Sequence, residues 1–279
     1  MPHAVVLNTA SKANTTGGTF ADTLTANSLD SLAVPFFNGN ARILKMWGID
    51  SDSVMELALT DGRVDSIHDP QYGIRFNIAS LIPGGAAVVG SHAMLRPPSD
   101  IRVFPGDALT MTVTTTAADD VVVSWLTEYD DLPGTQGTFA SWEQVKAMKA
   151  TDIGIRCAPV ASGTPGLYGT ARALNADDTR LTGGKYYAIL GFTVQTVCTT
   201  ISFKGASWGN NRIGLPAGSL DTDTTNGFVD LSQQLGKPLI PVLNGYDAAN
   251  YFLEAADGEA STSPKVDIRM YELTGNPVA

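Results

Sequence analysis

Charge is scarce in this chain: Asp, Glu, Lys and Arg make up only 16% of its 279 residues. The 18 basic residues are scattered with no run of three, and the net charge is −10. A sequence-independent grip on DNA, which needs clustered Lys and Arg to displace counterions, is therefore not expected. The three histidines, His3, His68 and His92, form neither H-x-H nor H-E-x-x-H, so a zincin or a metal-dependent cupin has no ligands. The two cysteines, Cys157 and Cys198, are too few for a disulfide framework and fit no metal motif. They read as buried free thiols of a protein made in a reducing cytoplasm. No apolar run approaches the roughly 20 residues of a membrane span. The N-terminus has no basic stretch leading into an apolar core, so no secretory signal is expected.

Catalytic signatures are missing too. Gly205-Ala206-Ser207-Trp208-Gly209 matches G-x-S-x-G, but that chemistry needs a helix after the Ser and a later His. Here Asn210 to Pro216 cannot form a helix, and the last His is His92, so the segment reads as a Gly-rich loop anchored by Trp208. Pro83 to Gly90 lacks the Lys and the strand–helix context of a phosphate loop. Asp119-Asp120, Asp130-Asp131 and Asp177-Asp178 are adjacent in predicted turns and nominate no acid/base pair. Trp47, Trp125, Trp142 and Trp208 read as core or interface residues.

What is present is turn chemistry and period-two alternation. Gly and Pro account for 43 residues, the profile of many turns joining short strands. Residues 1–35, rich in Thr, Ala, Asn and Ser, predict a flexible N-terminal arm. Residues 36–130 predict a first β-sandwich, with strands at 42–49, 54–60 and 74–81. Leu109, Met111 and Val113 alternate with Thr residues, and the run from Val121 is apolar on nearly both faces, as a central strand requires. Residues 131–183 predict a connecting segment in which Ser141 and Gln144 form a capping box opening a short helix to about Lys149. Residues 184–279 predict a second sandwich, with strands at 189–197, 200–204, 239–243, 250–254 and 266–273. In the last, Asp267, Arg269 and Tyr271 line a face that is wet or touches a neighbour.

One oxygen-rich stretch is a candidate metal loop. Asp221, Asp223 and Asn226, with Asp230 nearby, could offer ligands to Ca²⁺. The spacing departs from an EF-hand, with Gly227 at position seven and Ser232 where the bidentate Glu belongs. The alternative is a bare surface loop, and no other cofactor is implied.

The two sandwich regions repeat four landmarks in one order. Arg42-Ile43-Leu44 corresponds to Ala188-Ile189-Leu190, and Val103 to Asp107 corresponds to Val242 to Asp247. Ala117-Ala118-Asp119 corresponds to Ala255-Ala256-Asp257, and Trp125 to Tyr129 corresponds to Arg269 to Leu273, all at offsets between 138 and 146. This all-β tandem resembles the double jelly-roll major capsid proteins of tailless icosahedral double-stranded DNA bacteriophages, particularly those with an internal membrane. The resemblance covers residues 36–129 and 184–275. It implies two tandem jelly-roll β-sandwiches of eight strands each, standing side by side in one subunit. It further implies a pseudo-hexagonal homotrimer that tiles an icosahedral virion shell, made in the host cytoplasm and contacting other virion proteins. The arm would then point inward, to the membrane or a neighbouring trimer, and 205–227 outward. The 50-residue connecting segment is longer than a tight double sandwich needs. Two other classes fit the same bounds: a carbohydrate- or receptor-binding spike or fibre module, and a metal-independent enzyme on a two-barrel scaffold.

Overall fold

The computed structural model describes residues 4–13, 16, 22–23, 25–26, 30, 32–35, 37–49, 55–60, 74–78, 101–106, 109–114, 118, 120–132, 138–160, 162, 164, 167–195, 198, 200–217, 223–256 and 264–278. It is mostly β-sheet. In the N-terminal half, strands run β1 (Ala4–Lys12), β2 (Asp22–Thr23), β3 (Thr25–Ala26), β4 (Ala41–Ile49), β5 (Met55–Thr60), β6 (Ile74–Ile78), β7 (Ile101–Val103), β8 (Thr110–Thr114) and β9 (Val121–Tyr129). In the C-terminal half follow β10 (Phe139–Ala140), helix α1 (Trp142–Met148), β11 (Lys149–Cys157), β12 (Arg172–Ala173), β13 (Tyr186–Val194), β14 (Thr200–Gly205), β15 (Arg212–Pro216) and β16 (Asp223–Thr224). Helix α2 (Gly227–Leu235), β17 (Ile240–Asn244), β18 (Tyr251–Ala256) and β19 (Val266–Leu273) complete it.

Each half has a main sheet and a smaller one. The main sheets run β3-β1-β9-β4-β7 and β10-β17-β13-β19-β11, with β16 beside β13; the smaller ones run β2-β8-β5-β6 and β12-β18-β14-β15. Set aside β3, β10 and β16, and number the remaining strands one to eight in each half. Both main sheets then read 1-8-3-6 and both smaller sheets 2-7-4-5. Even a local irregularity recurs: β4 slips register against β9 between Ile43 and Lys45, and β13 slips against β19 between Ile189 and Gly191. These bulges sit on the first repeated landmark.

Packing follows the strand period. On β9 every residue is buried, and the strand lies between β1 and β4, so both of its faces are covered. One face, through Val121, Val123 and Trp125, joins Ala4, Val6, Met46, Met111 and Val113 in the N-terminal core. The other face contributes Leu126, with Val5, Leu7, Leu44 and Trp47, to the large core of the C-terminal half. Thus the outer face of the first main sheet is a junction between the halves.

Several expectations need correction. Residues 4–12 are not an arm: β1 pairs with β9 over nine consecutive residues, Ala4–Tyr129 to Lys12–Val121. Ala4 to Leu7 is a short continuous apolar run, a strand signal that the polar composition of the whole 1–35 stretch dilutes. Part of the connecting segment is likewise sheet, because β11 pairs with β19. The second set of strands therefore starts well before residue 184. Residues 212–216 are not an outward loop but strand β15, buried throughout. Helix α2 replaces the loop expected after Asp223; Phe228, Val229 and Leu231 bury one face, and Gly236 ends it at φ 63°. Residues 79–81, His3, His68 and His92 lie outside the described residues.

Other expectations hold. Ser141 Oγ accepts from Gln144 N at 3.3 Å and Gln144 Oε1 accepts from Ser141 N at 2.8 Å, closing the capping box. Trp47, Trp125 and Trp208 are buried, and Cys157 and Cys198 are free buried thiols. Burial pushes the Cys157 thiol up to about 12, with Asp177 adding to the shift, so it stays protonated.

Candidate functional site

The junction is the most elaborated polar site among the described residues. At its centre, Trp47 Nε1 donates to Thr200 Oγ1 at 3.1 Å. Thr200 Oγ1 also meets Ser124 Oγ at 3.1 Å, Ser124 meets Thr9 Oγ1 at 3.0 Å, and Thr9 meets the Tyr168 hydroxyl at 2.8 Å. A chain of hydroxyls in low dielectric fixes how the sheets sit on each other, since each buried group must keep its partner. Beside it the backbones come close. A Cβ on Gly214 would stand 2.7 Å from Leu7 Cδ2 and 2.2 Å from the Ile201 carbonyl oxygen, so only glycine fits.

Charge is buried at both flanks. On one, Arg212 Nη1 donates to Asp30 Oδ1 at 2.7 Å and Nε to Glu254 Oε2 at 2.5 Å, with the guanidinium 4.1 Å from the Tyr168 ring centre. Thr9 N donates to Asp30 Oδ2 at 3.0 Å. Burial pushes the Asp30 carboxyl up to about 6 against the pull of Arg212. Burial also raises the Tyr168 hydroxyl, and Asp30 adds to that shift. For Arg212, burial alone would lower the pKa; Asp30 and Glu254 outweigh it and the net shift is upward. On the other flank, Lys237 Nζ reaches Glu128 Oε2 at 2.6 Å while Arg42 Nε reaches the same oxygen at 2.8 Å. Lys45 Nζ donates to Gln234 Oε1 at 3.3 Å. A cleft of 230 Å³ opens there, lined by Asn40, Ala41, Arg42, Arg102, Glu128 and Asp130.

Asp221 and the Asp223 side chain lie outside the described residues; the Asp223 backbone pairs with Thr193. Asn226 Oδ1 accepts from Arg269 Nη1 at 2.8 Å, and Asp230 is exposed in the first turn of α2. Among the described residues, no group of three or more His, Cys, Asp or Glu could hold a metal ion. Nothing in the sequence alone singles out Asp30, Tyr168, Arg212 or Glu254. They come from separate segments, and no spacing or motif links them.

Comparison with protein-family models and with curated proteins gives no match.

Proposed function

We propose that this chain is a double jelly-roll capsid building block, assembling as pseudo-hexagonal homotrimers into an icosahedral shell. The observation that carries the reading is the strand order, 1-8-3-6 facing 2-7-4-5, found twice in one chain. That is how a jelly roll distributes its eight strands between two sheets. The stacking of the halves supports the trimer. The outer face of the first main sheet meets the smaller sheet of the second half through Leu7, Gly214, Trp47 and Thr200. Such a contact is heterologous, and repeating it between chains closes a ring when the rotation permits. Three chains would supply six jelly rolls. In this reading β11 and β19 meet the next subunit, and the virion is where the protein resides, alongside other virion proteins and an internal membrane.

Light scattering at several concentrations, joined to electron microscopy, tests the reading. A trimer near 88 kDa, three times 29.3 kDa, or closed particles is the expected result. A 29.3 kDa monomer at every concentration would overturn it. A parallel run in EDTA asks whether Asp221, Asp223, Asn226 and Asp230 hold Ca²⁺ in the assembly; if they do, the assembly is lost.

A second reading, a carbohydrate- or receptor-binding module, is favoured by Tyr246. The residue is 76% exposed, yet one edge of its ring rests on Gly183 and Gly184, where added Cβ atoms would stand 3.1 and 3.2 Å from it. A monomer that gains heat stability with glycan and loses the gain in Tyr246→Ala would establish that reading instead.

A further inference from the structure

Two carboxylates share one guanidinium at the junction, and all three groups are nearly sealed from water. The exposed fractions of the side chains are 5% for Arg212, 3% for Asp30 and 7% for Glu254. With each ionised, the cluster carries a net charge of −1. Among the described residues the Thr9 N–H, the Thr9 hydroxyl and the Tyr168 ring and hydroxyl also face it, and none of these is a cation. The two lysines elsewhere on the junction reach Gln234 and Glu128 instead. A buried charge without a full counter-charge is costly, and the cheapest relief is a proton. Of the two carboxylates, Asp30 is the one that crosses the junction, since Arg212 and Glu254 both belong to the C-terminal half.

We propose that the Asp30–Arg212–Glu254 cluster is a proton-loaded clasp, which tightens the contact between the two halves on mild acidification and slackens it at neutral pH. Neutral Asp30 keeps a carbonyl oxygen that accepts from Arg212, so protonation removes the excess charge without losing the bridge. The carboxyl's preference for its proton, raised from 3.8 to about 6 by burial, agrees with this direction. A folded-state value above the unfolded one means that the stabilising contribution is complete below pH 3.8 and is lost as the pH rises through about 6. The clasp does not depend on the capsid reading, because it acts within one chain.

Hydrogen exchange on the full chain at pH 5.0 and pH 7.5, expressed as protection factors, tests it. Amides of β1 and β15, which meet at the junction, are expected to be protected roughly tenfold better at pH 5.0 in the wild type. Amides of β13, in the opposite sheet, serve as the reference. In Asp30→Asn the difference between the two pH values is expected to vanish. In Glu254→Gln the burial of Asp30 is unchanged, so the difference is expected to remain, reduced by the loss of one neighbouring negative charge. If Asp30→Asn does not fold, the wild type and Glu254→Gln decide together. A flat response in either overturns the proposal, and so does the wild-type difference persisting in folded Asp30→Asn.

Discussion

The two main sheets share a strand order but oppose each other in surface chemistry. Pairing across the last strand of each sheet gives the equivalences. Val5, Leu7 and Thr9 of β1 occupy the places of Asp152, Gly154 and Arg156 of β11. Ser124 and Leu126 take those of Asp267 and Arg269, and Trp47 that of Thr193. The first face is buried against the C-terminal half. The second carries ion pairs, Arg156 Nε to Asp267 Oδ1 at 2.7 Å and Arg269 Nη2 to Asp152 Oδ1 at 3.7 Å, on side chains from 38% to 58% exposed. One backbone plan thus tolerates either chemistry. What differs is whether a partner sheet lies over it within the chain.

That contrast can be broken at its buried side first. Trp47→Ala leaves a cavity and strips Thr200 of its donor, and should cost roughly 3–5 kcal/mol in urea unfolding. Thr193→Ala, at the equivalent place, should change stability by less than about 0.5 kcal/mol. Equal costs would mean that the junction adds nothing to the fold. Next comes the bulge. Lys45 extends to Gln234, whereas Gly191 is roofed by backbone, and a Cβ there would stand 2.0 Å from the Thr224 carbonyl oxygen. Gly191→Ala should cost about 1–3 kcal/mol by thermal unfolding and Lys45→Ala well under that, because backbone cannot step aside as a side chain can. The smallest effect lies on the charged face. Arg156→Ala should leave the stability of the isolated chain nearly unchanged in urea unfolding, with any loss shrinking further in high salt. A larger loss in an assembled particle than in the isolated chain would place a neighbour on that face.

Much of the strand pattern was legible because alternation reports burial locally. Met111 and Val113 lie on β8 just after the buried Leu109, Val266, Ile268 and Met270 lie on β19, those faces are buried, and the run from Val121 is indeed central. The first, second and last landmarks begin on strands of equal rank, and Ala117, Asp119 and Asp257 lie outside the described residues. The second and last pairs are each out by one, Val103 being equivalent to Leu243. Pairing equates Leu126 with Arg269, an offset of 143, where matching Trp125 to Arg269 gives 144. A one-residue slip reverses which side chains face inward, so similarity of composition could not fix it. β1 was hidden by its polar neighbours, and the charged cluster by distance: Asp30 and Arg212 lie 182 residues apart. Burial of a lone Arg in a short apolar strand such as Arg212 to Pro216 becomes intelligible only once its two carboxylates are in place.

The placement of β1 also sets an order of events during synthesis. Its pairing partner, β9, ends at Tyr129, so β1 leaves the ribosome well over a hundred residues before the strand it pairs with is complete. At about 5–20 residues per second, Val5 and Leu7 spend on the order of ten seconds with neither strand nor junction to cover them. During that interval the nascent chain exposes a sticky edge that a chaperone, or the same segment on a neighbouring nascent chain, can reach before its own β9 does.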